Sequence, residues 1–218
     1  MADLVRLPGG QEVDIDRYGD YPLWSTWHGI ISGVVNKIIC FNYIQGDNII
    51  AGRVADQLDT NLMTSKQGVG YTEEMLVLGI AIQLPHKVAK AQINPDIGLL
   101  LDIIEMVDKT YFHFDVNQKV YAEGTLDAFP FFGGLHVVSN LNQAEYVNNG
   151  EPSSSSAKPL ALPIKITGAD SFKATIEFPK GALTLNNAGT VADNQDYKIR
   201  CWLLGIRSRY EGKAKVSA

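Results

Sequence analysis

The stretch Phe172-Lys173-Ala174-Thr175-Ile176-Glu177-Phe178 alternates apolar and polar side chains without a slip, and this period of two constrains the chain more than any other feature. Successive side chains of an extended strand point to opposite faces, so such a run is a half-buried strand with one wet face. Pro179 ends it. Tyr197-Lys198-Ile199-Arg200-Cys201-Trp202-Leu203 starts the same way and becomes apolar on both sides, which predicts a strand that begins at an edge and runs into the interior. Leu76, Leu78, Ile80, Ile82 and Leu84 form a third row at spacing two, with Gly79 and Ala81 on an opposite face that is closely covered. Further strands are expected at 34–44, 111–116, 119–122, 135–139 and 162–166, eight in all. Between them lie Gln45-Gly46-Asp47-Asn48, Asn117-Gln118, Asn148-Asn149-Gly150 and Asn186-Asn187-Ala188-Gly189, rich in the Asn and Gly that tight turns use for positive φ. Many short strands separated by turn signals predict an antiparallel all-β sandwich or barrel.

One helix is expected against that trend, at about 95–107. Asn94-Pro95 sets a cap residue before a proline at the first helical position, and Ile97, Leu100, Leu101 and Ile104 follow at helical spacing. Leu99, Ile103 and Met106 make its other side apolar too, so the helix packs between a sheet and something else; a buried strand is the alternative. The run Glu151-Pro152-Ser153-Ser154-Ser155-Ser156-Ala157-Lys158-Pro159 is a flexible loop by composition. It is either a linker or, as the short remainder of the chain favours, a surface excursion between strands.

At 218 residues, 45% hydrophobic and 20% charged, the chain can bury one core of ordinary size. Its longest apolar stretches reach about half of the roughly 20 residues a membrane span requires. The N-terminus carries no secretory-signal pattern, so synthesis in the cytoplasm is expected. Cys40 and Cys201 each sit inside an apolar run and are expected as buried free thiols. The net charge of −5 is uneven: from Lys198 onward six basic residues face Glu211 alone, a balance of +5, which leaves 13 basic and 23 acidic residues, −10, in the rest. Such a basic end is either a solvated tail or a contact for phosphates or acidic headgroups.

Clusters that signal catalysis are missing. His28, His86, His113 and His136 stand apart, with no zinc spacing, no nucleophile elbow and no phosphate loop, so neither an enzyme nor a metal or cofactor site is expected. His113 and Asp115, two apart in a strand, share a face. With Trp27 they are the candidate contacts of an alternative reading, a lectin-like or cupin-like module for a sugar or small ligand. Aromatic residues stand out more: Tyr18, Tyr21, Trp24 and Trp27 crowd together, and Phe129-Pro130-Phe131-Phe132 forms a second knot. The knot either folds back over its own sheet or inserts into a neighbouring subunit, because aromatic anchors dominate interfaces. Base stacking is a third option, but neither knot is interleaved with Arg or Lys.

The order of these phrases is recognisable. Asp59-Thr60-Asn61-Leu62 precedes the strand from Met75; then come Tyr111-Phe112-His113-Phe114, Lys119-Val120-Tyr121-Ala122-Glu123-Gly124, and Phe129-Pro130-Phe131-Phe132-Gly133-Gly134-Leu135. Leu162-Pro163-Ile164-Lys165-Ile166, Ser171-Phe172-Lys173-Ala174-Thr175-Ile176 and Ile199-Arg200-Cys201-Trp202-Leu203-Leu204-Gly205-Ile206-Arg207-Ser208-Arg209 complete it. Over roughly residues 24–209 the series resembles the small jelly-roll coat proteins of tailless icosahedral bacterial viruses. The resemblance implies a single eight-stranded antiparallel jelly-roll sandwich of two four-stranded sheets with long loops at 123–135 and 140–162. It sets residues 1–23 aside as an N-terminal arm and 210–218 as a basic C-terminal tail. It implies a virion structural protein that self-assembles into trimers or pseudo-hexameric capsomers and a closed shell around nucleic acid, with other coat or vertex proteins as further partners. Trp24, Trp27, Phe129, Phe131 and Phe132 are then the candidate subunit interface. Arg207, Arg209, Lys213 and Lys215 are the candidate contacts to the genome, as nonspecific nucleic-acid binding, or to an internal membrane.

Overall fold

The computed structural model describes residues 4–6, 10, 12–14, 18–29, 34–50, 53–62, 73–84, 104–131, 136–140, 143–148, 157–184 and 197–208. Its strands in chain order are β1 (Leu4–Arg6), β2 (Glu12–Asp14), β3 (Tyr18–Asp20), β4 (Leu23–Gly29), β5 (Val34–Val35), β6 (Lys37–Cys40), β7 (Asn48–Ile50), β8 (Arg53–Val54), β9 (Glu74–Gln83), β10 (Tyr111–Val116), β11 (Lys119–Gly124), β12 (His136–Asn140), β13 (Gln143–Asn148), β14 (Lys158–Thr167), β15 (Phe172–Glu177), β16 (Leu183–Thr184) and β17 (Tyr197–Ser208). The fold is all-β and its sheets are antiparallel. One sheet has the order β11-β10-β15-β6; the other runs β14-β9-β17, with β4 and β3 end to end along the remaining edge of β17. The other strands pair as two-stranded ribbons.

Both sheets feed one core. Ile38, Cys40, Phe112, Phe114, Phe172, Ala174 and Ile176 face inward from the first sheet, and Leu23, Met75, Val77, Ile80, Ile82, Ile164, Ile166, Ile199, Cys201 and Leu203 from the second. Phe172 lies between Phe41 and Phe114, with ring centroids at 5.3 and 6.1 Å. The alternating row of β15 is buried as its pattern predicts, and Phe178 joins the same cluster. Asn117 and Gln118, both at positive φ, turn β10 into β11.

The row on β9 departs from expectation. Met75 and Val77 point into the core, then Leu78 has no partner on β17, because Leu204 pairs with Gly79 and Gly205 with Val77. One extra residue reverses the alternation, so Ile80, Ile82 and Leu84 take over the inner face while Leu76 is buried on the other side. The eight principal strands also differ from the eight expected. Segment 136–140 forms β12, which pairs with β13 alone, whereas β4, read in the sequence as an aromatic cluster, is a full sheet strand. β3, within the stretch set aside as an arm, pairs with β17. β14 begins at Lys158, inside the loop expected at 140–162, and its residues 160–163 loop out between Pro159 and Ile164, leaving Leu162 76% exposed. Pro159 and Pro163 lack the N–H that a further strand would need, which blunts this edge.

The helix is described at 104–109, two residues beyond the expected end at Val107. Ile104, expected on its packing face, is 56% exposed, and Met106 is the residue buried in the core. Residues 95–103 and the serine run 151–156 lie outside the described residues.

Acidification acts on three carboxylates that this fold holds below their ordinary range. Asp170 accepts from the Thr167 hydroxyl and amide, each at 2.7 Å, and from Asn117, tying the β14–β15 turn to the β10–β11 turn. Glu74 is lowered by Lys165 and Tyr18, and Glu177 by Lys37. A depressed folded-state pKa gives stability that is present above the unfolded-state value and lost as pH falls through the folded one. The thermal midpoint is therefore expected to hold from neutral pH down to about 5 and to drop below about pH 4. Asp170→Asn should flatten part of that drop in unfolding scans run across pH; an unchanged slope would remove Asp170 from the account.

Candidate subunit-contact surface

Period two sorts the aromatic residues between the inside and outside of the second sheet. On β4, Leu23 faces the core, so Trp24, Thr26 and His28 face outward; on β17, Ile199, Cys201 and Leu203 face in, so Arg200 and Trp202 face out. Trp24 and Trp202 lie directly opposite in the ladder, with ring centroids 5.4 Å apart. Pro130 bridges to Ile82 and the Ile82 amide donates to the Phe129 carbonyl (2.9 Å), extending the sheet by one short pairing. That pairing sends Phe129 inward, against Phe112 at 4.5 Å, and Phe131 outward, stacked on Trp202 at 5.7 Å and 18°. The Arg200 guanidinium lies 5.5 Å from the Trp202 ring, whose Nε1 donates to Gln83 at 3.4 Å. Trp24, Trp202 and Phe131 are each half-buried and form one aromatic patch.

The five aromatic candidates therefore part company. Trp24 and Phe131 meet through Trp202, which the sequence placed in a run entering the interior. Phe129 is corrected from interface to core: it is 1% exposed and has no surface to offer a neighbour. Trp27, on the inner side of β4, packs against the core. Phe132 lies outside the described residues, as do Arg209, Lys213, Lys215 and all of 210–218. Arg207 forks onto Glu73, with Nε donating at 2.6 Å. Three of the six cations counted in the basic end, Lys198, Arg200 and Arg207, thus belong to the sheet, and the two arginines are engaged within the body.

A strap at 55–62, which contains Asp59-Thr60-Asn61-Leu62, closes the free edge of β4. Thr26 N–H donates to the Asp59 carbonyl (2.8 Å), Asn61 N–H to the Trp24 carbonyl (3.3 Å), and Trp24 N–H to Asn61 Oδ1 (2.9 Å). Arg200 pins it from above, donating from Nε to Thr26 Oγ1 (2.8 Å) and from Nη2 to the Leu58 carbonyl (2.5 Å). Burial lowers the Arg200 pKa and nearby Asp59 partly offsets this. Beneath, His28 Nε2 sits 2.8 Å from Asp59 Oδ1 with both side chains essentially out of solvent.

On the outer face of the other sheet, His113 Nδ1 lies 2.9 Å from Asp115 Oδ2, and Lys37 bonds Glu177 at 2.9 Å. His113 and Asp115 share a face as their spacing predicts. Trp27 belongs to the opposite sheet and points inward, so the three contacts of the lectin-like reading do not converge. Among the described residues no helix is long and apolar enough to cross a membrane. Compared with known protein families, characterised proteins and solved structures, the chain gives no match.

Proposed function

We propose that the chain is a single jelly-roll coat subunit that works by self-assembly into capsomers and an icosahedral virion shell. The order of strand pairing carries this reading. Counting β4, β6, β9, β10, β11, β14, β15 and β17 as first to eighth, the first pairs with the eighth, the second with the seventh, the third with the sixth and the fourth with the fifth. Those four pairs are one long antiparallel hairpin. The eighth also pairs with the third and the seventh with the fourth, which are the contacts that rolling the hairpin on itself adds. Two Greek-key halves of this kind support a jelly roll, an architecture used by shell and lectin domains alike.

The aromatic patch favours the shell member of that pair. Three rings half-buried on the wet side of a sheet are apolar surface that a neighbouring subunit can cover, and aromatic anchors concentrate binding energy. A second copy is the partner, with other coat or vertex proteins as further neighbours. The tail at 210–218 then meets nucleic acid or an internal membrane through charge alone. Sedimentation and electron microscopy of the purified chain are expected to find trimers, rings or shells; a monomer at high concentration counts against the proposal. Phe131→Ala should weaken association at least about tenfold with little change in thermal midpoint. Undiminished assembly by that variant would remove the patch from the interface.

A further inference from the structure

We infer that Cys40 and Cys201, the only two cysteines of the chain, form a cross-sheet disulfide site that closes under a thiol oxidant and clamps the two sheets together. They come from different sheets: Cys40 from β6, an outer strand of the first, and Cys201 from β17, an inner strand of the second. Both face the shared core and neither has solvent access. Cys201 lies opposite Ser25 on β4, and the Ser25 hydroxyl oxygen accepts from the Phe41 amide at 2.8 Å, the residue next to Cys40. That bond draws the end of β6, with Cys40, onto the β4–β17 ladder at the level of Cys201. With no third cysteine, no competing intramolecular pairing exists.

Burial sets when the bond can form. It pushes the Cys40 thiol up to about 12 and Cys201 well above its ordinary value, so at neutral pH the folded pair is protonated and slow to exchange. Oxidation proceeds as the chain folds or when this corner opens. The Cys40 thiolate, its proton lost to solvent, attacks a sulfur of glutathione disulfide and releases one glutathione. The Cys201 thiolate then attacks the Cys40 sulfur and expels the second. Two thiols are oxidised, one glutathione disulfide is reduced, and the chain loses two hydrogens.

The test refolds the full chain from denaturant in mixed reduced and oxidised glutathione, then alkylates it unfolded without reductant and measures intact mass and peptides. Expected are a monomer lacking two hydrogens, no alkylatable thiol, a Cys40–Cys201 linked peptide, and a higher thermal midpoint than the dithiothreitol-refolded form. Kept in denaturant, where about 160 residues separate the thiols, the chain should instead collect glutathione adducts, because only the fold holds the pair together. Cys201→Ala should abolish the linked peptide. Two alkylatable thiols or stable glutathione adducts after refolding would overturn the inference, as would a linked form with less sheet structure than the reduced one. Assembly plays no part in these readouts, so this site and the shell proposal stand or fall separately.

Discussion

Gly205→Ala is expected to destabilise the chain by at least about 3 kcal/mol, because the methyl group has nowhere to go. A Cβ at this position would stand 2.0 Å from the Leu76 carbonyl oxygen and 3.0 Å from Leu76 C and Val77 Cα, all main-chain atoms of β9. No rotamer relieves such a contact; β17 must move off β9. The displacement strikes where Leu78 is bulged out and both inner rows of the second sheet depend on the register being kept. A chain of this size loses roughly 2–4 °C in thermal midpoint per kcal/mol, so a fall of about 6–12 °C should accompany it. Gly181→Ala is the matching control. Gly181 has φ +113° and nothing within 4 Å of its added Cβ, so that variant has only the left-handed backbone penalty, on the order of 1 kcal/mol. Urea unfolding of the two variants separates the causes. If Gly205→Ala costs no more than Gly181→Ala, the close approach of β17 to β9 does not constrain this residue.

The same bulge explains what could and could not be read beforehand. The row Phe172, Ala174, Ile176 and Phe178 was legible because β15 is regular against β10 and β6, so spacing two in sequence is spacing two in space. Leu76, Leu78, Ile80 and Ile82 look just as regular. Their split depends on a residue more than a hundred positions away, Gly205, whose missing side chain admits the extra residue. β4 was missed for a related reason. Leu23-Trp24-Ser25-Thr26-Trp27-His28 has no clean alternation because its outer face is itself covered: Thr26 and His28 are buried under the strap.

Candidate contact residues were legible as a composition and not as a surface. An aromatic knot at Phe129-Pro130-Phe131 announces burial somewhere; which ring goes in and which goes out follows from one pairing, Pro130 with Ile82. Trp202 was hidden by its neighbours, since Cys201, Leu203 and Leu204 made the whole end of the strand read as interior. Only its ladder position opposite Trp24 turns it outward. The charge of the chain's end was similarly opaque. Arg207 and Arg209 are equivalent in sequence, but the acid that occupies Arg207 is Glu73, from the far side of the ladder.

Asp59→Ala is expected to cost roughly 3–5 kcal/mol, since it removes the buried carboxylate that faces both His28 and Arg200 and leaves the Arg200 charge less compensated. His28, 0% exposed in its side chain, would lose the carboxylate 2.8 Å away, and half-buried Arg200 would lose the acid that most offsets its burial. The Asp56 amide would lose its bond to Asp59 Oδ2 (3.1 Å), which shapes the strap's turn. Asp59→Asn keeps the size and an acceptor oxygen, so its smaller loss measures the charge, and the difference from Asp59→Ala measures the bonds. A double-mutant cycle with His28→Gln then gives the coupling between the two side chains; independent, additive losses would mean that the pair does not hold the strap. The strap's release has a consequence beyond stability. Its bonds to Trp24 and Thr26 occupy the outer edge of β4, and an edge strand stripped of such cover offers its N–H and C=O groups to any other chain. Asp59→Ala should therefore exchange the Thr26 and Asn61 amides faster and aggregate irregularly, whereas Phe131→Ala should stay soluble and lose only ordered association. That contrast separates the residues that keep the subunit closed from those proposed to join it to its neighbours.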